Sequence, residues 1–172
     1  MTILALDLAT NLGWALWRTG MEKPRSGAIL LRGAGLGHRF TAYRDWLLET
    51  CIAGGVTHIV REAPFLDMKS ANVVLTLYGL AAITEEVAAR KGMTCRDIES
   101  ASWRKFFIGC GAAPRTVAKK NRREWLKRQV IAECQTRGLD PRNDNEGDAI
   151  GILMFERARL YPEFAAQGAL GL

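Results

Sequence analysis

Asp7 interrupts an otherwise apolar run, with Ile3-Leu4-Ala5-Leu6 before it and Leu8 after it. An ionised carboxylate inside a buried strand is costly unless it is paired, hydrogen-bonded or bound to metal. Glu62 repeats the arrangement, closing His58-Ile59-Val60-Arg61 just before Pro64. Asp144 and Asp148 are spaced i,i+4, so a helix would place them on one face. Each acid also has a plainer reading. Asp7 could accept backbone N–H bonds from a turn, Glu62 could pair with Arg61, and Asn145 with Asp148 resembles a helix capping box. As a set, dispersed carboxylates with only two histidines, His38 and His58, suit a hard cation such as Mg²⁺ held through oxygen. Paired ions of that kind clamp the attacking and leaving oxygens of an in-line phosphoryl displacement.

Other chemistries lack their residues. Cys51, Cys95, Cys110 and Cys134 are scattered with no C-x-x-C, which defeats the usual zinc spacings. They read as small buried hydrophobes. Gly33-Ala34-Gly35-Leu36-Gly37 has no following Lys-Ser/Thr and is not a phosphate-binding P-loop, so no nucleotide cofactor is expected.

The elements that must position these acids can be read from periodicity. Ile3 to Leu8 and Gly13 to Trp17 read as two strands of a hairpin, and Ala28 to Leu31 as a third strand. Phe40, Tyr43, Trp46, Leu47 and Leu48 recur at helical spacing from about His38 to Ile52, and Gly54-Gly55 stops that helix. Thr57 to Arg61 reads as a buried strand, Ser70 to Arg90 as a long apolar helix ended by Gly92, and Met93 to Ile98 as a fifth strand. Helices follow over Ala101 to Phe107, Thr116 to Arg137 and Asn145 to about Leu160. If the Ile3–Leu8 and Thr57–Arg61 strands are parallel neighbours, Asp7 and Glu62 emerge at one end of the sheet, where α/β folds place their ligands. Glu146, two residues from Asp148, should point elsewhere.

At 172 residues the chain fits one domain, expected over 1–162 with a loose tail at 163–172. No run reads as a transmembrane segment or signal peptide, so a cytoplasmic protein without membrane contact is expected. The net charge is +6, and its distribution is uneven. Ser102 to Arg142 holds 11 Lys or Arg against 3 Asp or Glu, a local +8 that leaves −2 for the remainder. A localised basic zone is the footprint of a polyanion partner, although a solvated helix face would show the same count.

Three motifs, in order, resemble the RuvC-type Holliday junction resolvases of the RNase H-like superfamily, including phage or prophage members. They are Ile3-Leu4-Ala5-Leu6-Asp7-Leu8-Ala9-Thr10 with Gly13-Trp14-Ala15, then Val60-Arg61-Glu62-Ala63-Pro64-Phe65, then Asp144-Asn145-Glu146-Gly147-Asp148-Ala149. The resemblance implies an α/β, RNase H-like fold: a five-stranded mixed sheet flanked by helices in βββαβαβα order. It implies metal ligation and catalysis by Asp7, Glu62 and Asp148, with Asp7 bridging two Mg²⁺ ions and Mn²⁺ able to substitute. The family carries an acid or His where this chain has Asn145, and Asp144, one residue earlier, could stand in. Phe65 matches an aromatic that wedges into junction bases, and a core Phe is the competing reading. Lys69, Arg104, Lys105, Arg115, Lys119, Lys120, Arg122 and Arg123 are the expected DNA contacts. The long helix after Ser70 matches the one that builds the family's homodimer, which presents two sites to a four-way junction.

The implied activity is structure-selective cleavage of branched DNA, leaving 5′-phosphate and 3′-hydroxyl ends. Alternatives are an RNase H-like ribonuclease on hybrid or structured RNA and a catalytically impaired junction binder, the latter suggested by Asn145. A sugar-kinase-like or actin-like ATPase shares the first hairpin but needs a far longer chain.

Overall fold

The computed structural model describes residues 1–64 and 70–164. β1 (Thr2–Asp7), β2 (Asn11–Arg18) and β3 (Arg25–Leu30) form an antiparallel meander, followed by α1 (Leu36–Gly54). Next come β4 (His58–Glu62), α2 (Ala71–Lys91), β5 (Thr94–Ile98) and α3 (Ser100–Ile108). The chain closes with α4 (Arg122–Thr136) and α5 (Asp144–Leu160). The sheet order is β3-β2-β1-β4-β5, with β1–β4 and β4–β5 parallel. The mixed five-stranded sheet and its element order are those read from the sequence, and β1 is central.

Side-chain alternation divides the interior into two layers. Ile3, Ala5 and Val60 point to one face, where Trp103, Phe107, Val130 and Ile150 from α3, α4 and α5 cover them. Leu4, Leu6 and Ile59 point to the other, under Tyr43 and Leu47 of α1 and Leu80 of α2. α5 is buried along most of its length, because it lies across the sheet and against α3 and α4. Its far end is fastened by Glu156, which accepts from His58 Nε2 at 2.7 Å, Arg96 Nη1 at 2.7 Å and Arg159 Nη2 at 2.6 Å. That carboxylate is fully buried. Burial alone would raise its pKa, but the bonds from Arg159 and His58 and the cationic charges pull it to about 2.

α2 is long and apolar enough to cross a membrane by length and composition, which the sequence reading did not anticipate. Here one face packs in the core through Leu80, Ala81, Thr84, Val87 and Ala88. Element boundaries also differ from expectation: β2 starts at Asn11 and not Gly13, and β3 at Arg25 and not Ala28. The helix expected from Thr116 starts at Arg122, because Ala118 is extended (ψ 137°) and Lys119–Asn121 forms a 3-10 turn. The cap of α5 is Asn143, whose Oδ1 accepts from Glu146 N at 3.0 Å, and not Asn145. Pro162–Phe164 forms a turn, with Phe164 packed edge-on to Trp17 at 5.7 Å.

Candidate active site

Period two decides which acids meet. Asp7 continues the face of Ile3 and Ala5, and Glu62 the face of His58 and Val60, so both point toward α5. The parallel β1–β4 register, with Leu6 opposite Arg61, sets them side by side at the carboxyl end of the sheet. Arg61 has the opposite parity, which removes it as a partner for Glu62. It turns to the α2 face, where Nε reaches Asp97 at 2.6 Å, Nη2 reaches Glu85 at 2.8 Å and Nη1 reaches the Ala81 carbonyl at 2.5 Å.

The third acid arrives with α5. Its first turn lies directly on the β1–β2 hairpin at Gly13, the residue paired with Asp7. A Cβ on Gly13 would fall 1.9 Å from the Asn145 carbonyl oxygen. Asn145 Nδ2 donates to the Asn11 carbonyl at 2.6 Å and locks this contact. One turn later, Asp148 faces Asp7. Glu146 points away, as expected, and accepts from Ser26 Oγ at 2.7 Å and Arg142 N at 2.9 Å.

α3 supplies the surroundings. The Ser100 hydroxyl donates to Glu62 Oε1, and Trp103 Nε1 donates to Glu62 Oε2 at 2.8 Å. Arg104 Nη2 lies 3.2 Å from Asp148 Oδ2 and 3.5 Å from Glu62 Oε2. Burial pushes the Asp7 carboxyl well above its usual range, and the charges of Asp148 and Glu62 push further, with Arg104 opposing. Asp148 is raised to about 6, again chiefly by burial, with Arg104 pulling back. Asp144 behaves differently. Burial would raise it, but the ion pair and hydrogen bond from Lys127 hold it below the ordinary value. It stands at the rim, beside a cleft of about 270 Å³ along α4.

Asp7, Glu62 and Asp148 are therefore brought together, while Asp144 is tied to Lys127 and Asn145 to the hairpin backbone. Hard oxygen donors, two of them (Asp7 and Asp148) raised by burial and by neighbouring negative charge, fit a divalent cation, which would relieve the repulsion. Among the described residues no three His, Cys, Asp or Glu close into a ready coordination set, and Arg104 stands between two of the acids.

Of the expected DNA contacts, Arg104 borders the acids. Lys105, Arg115, Lys119, Lys120 and Arg123 are exposed, and Arg122 donates through Nε to the Val117 carbonyl at 3.1 Å. Phe65 and Lys69 lie outside the described residues. Ser100, Trp103 and Lys127 were missed by sequence reasoning. The available signal for the first two was position: a helix opening directly after a parallel strand starts at the same sheet end as Glu62.

No protein-family model and no curated protein matches the sequence. Solved structures do. A Thermus thermophilus RuvC structure aligns with TM-score 0.66 at 16% identity, covering 93% of this chain and 96% of its own. T. thermophilus RuvC in complex with a Holliday junction substrate aligns at 0.70 and 14%, covering 94% and 97%. The yeast mitochondrial Holliday junction resolvase Ydc2 aligns at 0.58 and 11%, covering 96% and 83%. With its five-stranded mixed sheet centred on β1 and flanked by helices, the chain has the RNase H-like α/β fold of these structures.

Proposed function

We propose that this chain is a divalent-metal-dependent endonuclease that resolves four-way DNA junctions, leaving 5′-phosphate and 3′-hydroxyl ends. The observation that carries the reading is the convergence of Asp7, Glu62 and Asp148 at one sheet end, beside a basic segment from α3 through α4. Similar folds in proteins solved as Holliday junction resolvases, one with its junction substrate, support the substrate class. Asp7, Glu62 and Asp148 would hold Mg²⁺ or Mn²⁺, with Asp144 at the rim. Bound metal would supply an activated water and neutralise charge developing on the phosphate.

The protein's own groups do the rest. Ser100 and Trp103 fix both oxygens of Glu62, so that carboxylate is presented in one orientation. Arg104 and Lys127 flank the acids and would take phosphate oxygens near the scissile bond. Lys105, Arg115, Lys119, Lys120 and Arg123 would grip the strands farther out, contacts that position DNA without reading its sequence. A homodimer fits the exposed apolar residues of α2, Val73, Leu75 and Tyr78, because two copies would set two sites on a two-fold substrate.

The test is cleavage of a labelled four-way junction in Mg²⁺, alongside an RNA–DNA hybrid. Wild type should cut the junction and leave the hybrid, and Asp7→Asn should be inactive. A fully active Asp7→Asn protein would remove the assignment. Cleavage of the hybrid alone would transfer it to a ribonuclease.

A further inference from the structure

Arg104 occupies an unusual position for a DNA-gripping residue. Its guanidinium does not face outward with Lys105 but lies inside the acidic cluster, 3.2 Å from Asp148 and 3.5 Å from Glu62, with its side chain 18% exposed. It rests on the Trp103 ring, 4.5 Å from the centroid. The same indole donates to Glu62 Oε2, so one aromatic side chain orients both the acid and the cation. Trp103 is itself fully buried, and Gly151 of α5 leaves the space for it: a Cβ there would fall 2.5 Å from the ring. Arg104 is thus held by a built support and is not a loose surface arginine.

We propose that Arg104 is the resident counter-cation of the acidic cluster and must be displaced when a divalent ion binds, so that metal entry and withdrawal of Arg104 are one coupled step. The inference rests on the metal-site reading of Asp7, Glu62 and Asp148. The two cations compete for the same oxygens, Asp148 Oδ2 and Glu62 Oε2. They also repel each other in a partly buried site where screening is weak. The free protein therefore keeps Asp148 and Glu62 partly neutralised and loads metal weakly. A displaced guanidinium stays tethered to α3 at the mouth of the site, where the phosphate oxygens of a DNA strand would accept its planar fork. A bound strand would then favour the open position of Arg104 and so the metal-loaded state. Arg104 acts here as a positioning residue that couples metal loading to the arrival of the polyanion.

Mn²⁺ titration of the full-length, DNA-free protein, read from the EPR signal of the free ion, tests this without any cleavage assay. Arg104→Met keeps the stem on Trp103 and removes the charge. It should bind Mn²⁺ at least about tenfold more tightly than wild type, as expected when a competing charge leaves a weakly screened site. Arg104→Lys, which keeps a cation, should stay within about threefold of wild type. Equal or weaker Mn²⁺ binding by Arg104→Met overturns the proposal.

A second measurement needs no variant. In wild type, diamagnetic Mg²⁺ should shift the Arg104 Nε–Hε cross-peak in a ¹⁵N–¹H spectrum, and an unmoved peak at saturating Mg²⁺ also overturns it. The two levels separate cleanly. Binding of Mn²⁺ with no effect of Arg104 removes the coupling alone and leaves junction cleavage by wild type as its own test. Absence of Mn²⁺ binding in both wild type and Arg104→Met removes the metal-site reading and the coupling together.

Discussion

Asp148 shows how a buried acid weakens the fold that holds it. Its carboxyl titrates near 6, against 3.8 for an ordinary Asp. Below about pH 4 the group is protonated in both folded and unfolded chains and has no effect. Between the two values the folded chain holds the extra proton, so stability falls as pH rises, and above about 6 the full cost of the buried charge is present. Metal-free wild type should therefore resist urea better at pH 5 than at pH 7, and Asp148→Asn should flatten that difference. A variant with the wild-type pH slope would place the titration elsewhere. Asp7 extends the argument, since burial and the charges of Asp148 and Glu62 all oppose its ionised form. Asp7→Asn should stabilise the metal-free protein by about 1–2 kcal/mol while abolishing cleavage, a trade between stability and activity common at strained sites. Thermal unfolding and junction cleavage measured on one preparation would check both halves.

At the scale of elements, two contacts govern where the acids stand. The first is the seat of α5 on the hairpin. Gly13→Ala would force a methyl group into the Asn145 backbone, which is not a flexible side chain that can swing aside. The expected cost is about 1–3 kcal/mol or more, as for other overpacking changes. Cleavage and Mn²⁺ affinity should be lost together, because Asp148 moves with the helix. A Gly13→Ala protein with wild-type metal affinity would show that α5 can shift without disturbing the site. The second contact is Arg61, which ties β4 to β5 through Asp97 and to α2 through Glu85 and the Ala81 carbonyl. Asp97 and Glu85 are roughly half exposed, so both can rehydrate when the arginine is removed. Arg61→Met should accordingly cost about 2 kcal/mol in urea unfolding, less than the 3–5 typical of a fully buried pair.

On the scale of the whole molecule, the charge is unevenly distributed. The acids gather at the end of the central strands, while Lys105, Arg115, Lys119, Lys120 and Arg123 stand exposed on the segment from α3 to α4. Replacing one of these, Lys120→Ala for example, should weaken binding to junction and duplex alike. It should also reduce the slope of log K against log salt by about one, the signature of a lost phosphate contact. Filter binding over a salt series measures it, and an unchanged slope would take Lys120 out of the interface. α2 carries the other surface, with Leu75 56% exposed beside Val73 and Tyr78. Leu75→Glu should turn a dimer into a monomer in sedimentation without lowering the stability of the subunit, since the side chain is outside its core.

Local rules were enough for much of this protein. Alternation and spacing belong to a short stretch of chain, so Asp7 and Glu62 at strand ends, the βββαβαβ order and an acidic start to the last helix were legible from the sequence. So was the outward turn of Glu146, because two residues along a helix mean a different face. The start of α4 was not, since Ala118 takes an extended conformation that the charged stretch around it does not announce. The identity of partners was beyond local rules altogether. Arg104 meets Asp148 from 44 positions away, Asn145 finds Asn11 from 134 away, and Lys127 takes Asp144 out of the central cluster. Those pairings depend on how α3, α4 and α5 stack on one face of the sheet, and only the tertiary structure decides that. The sequence determined which groups could do the chemistry; packing determined that three acids gather at one sheet end and that an arginine already stands among them.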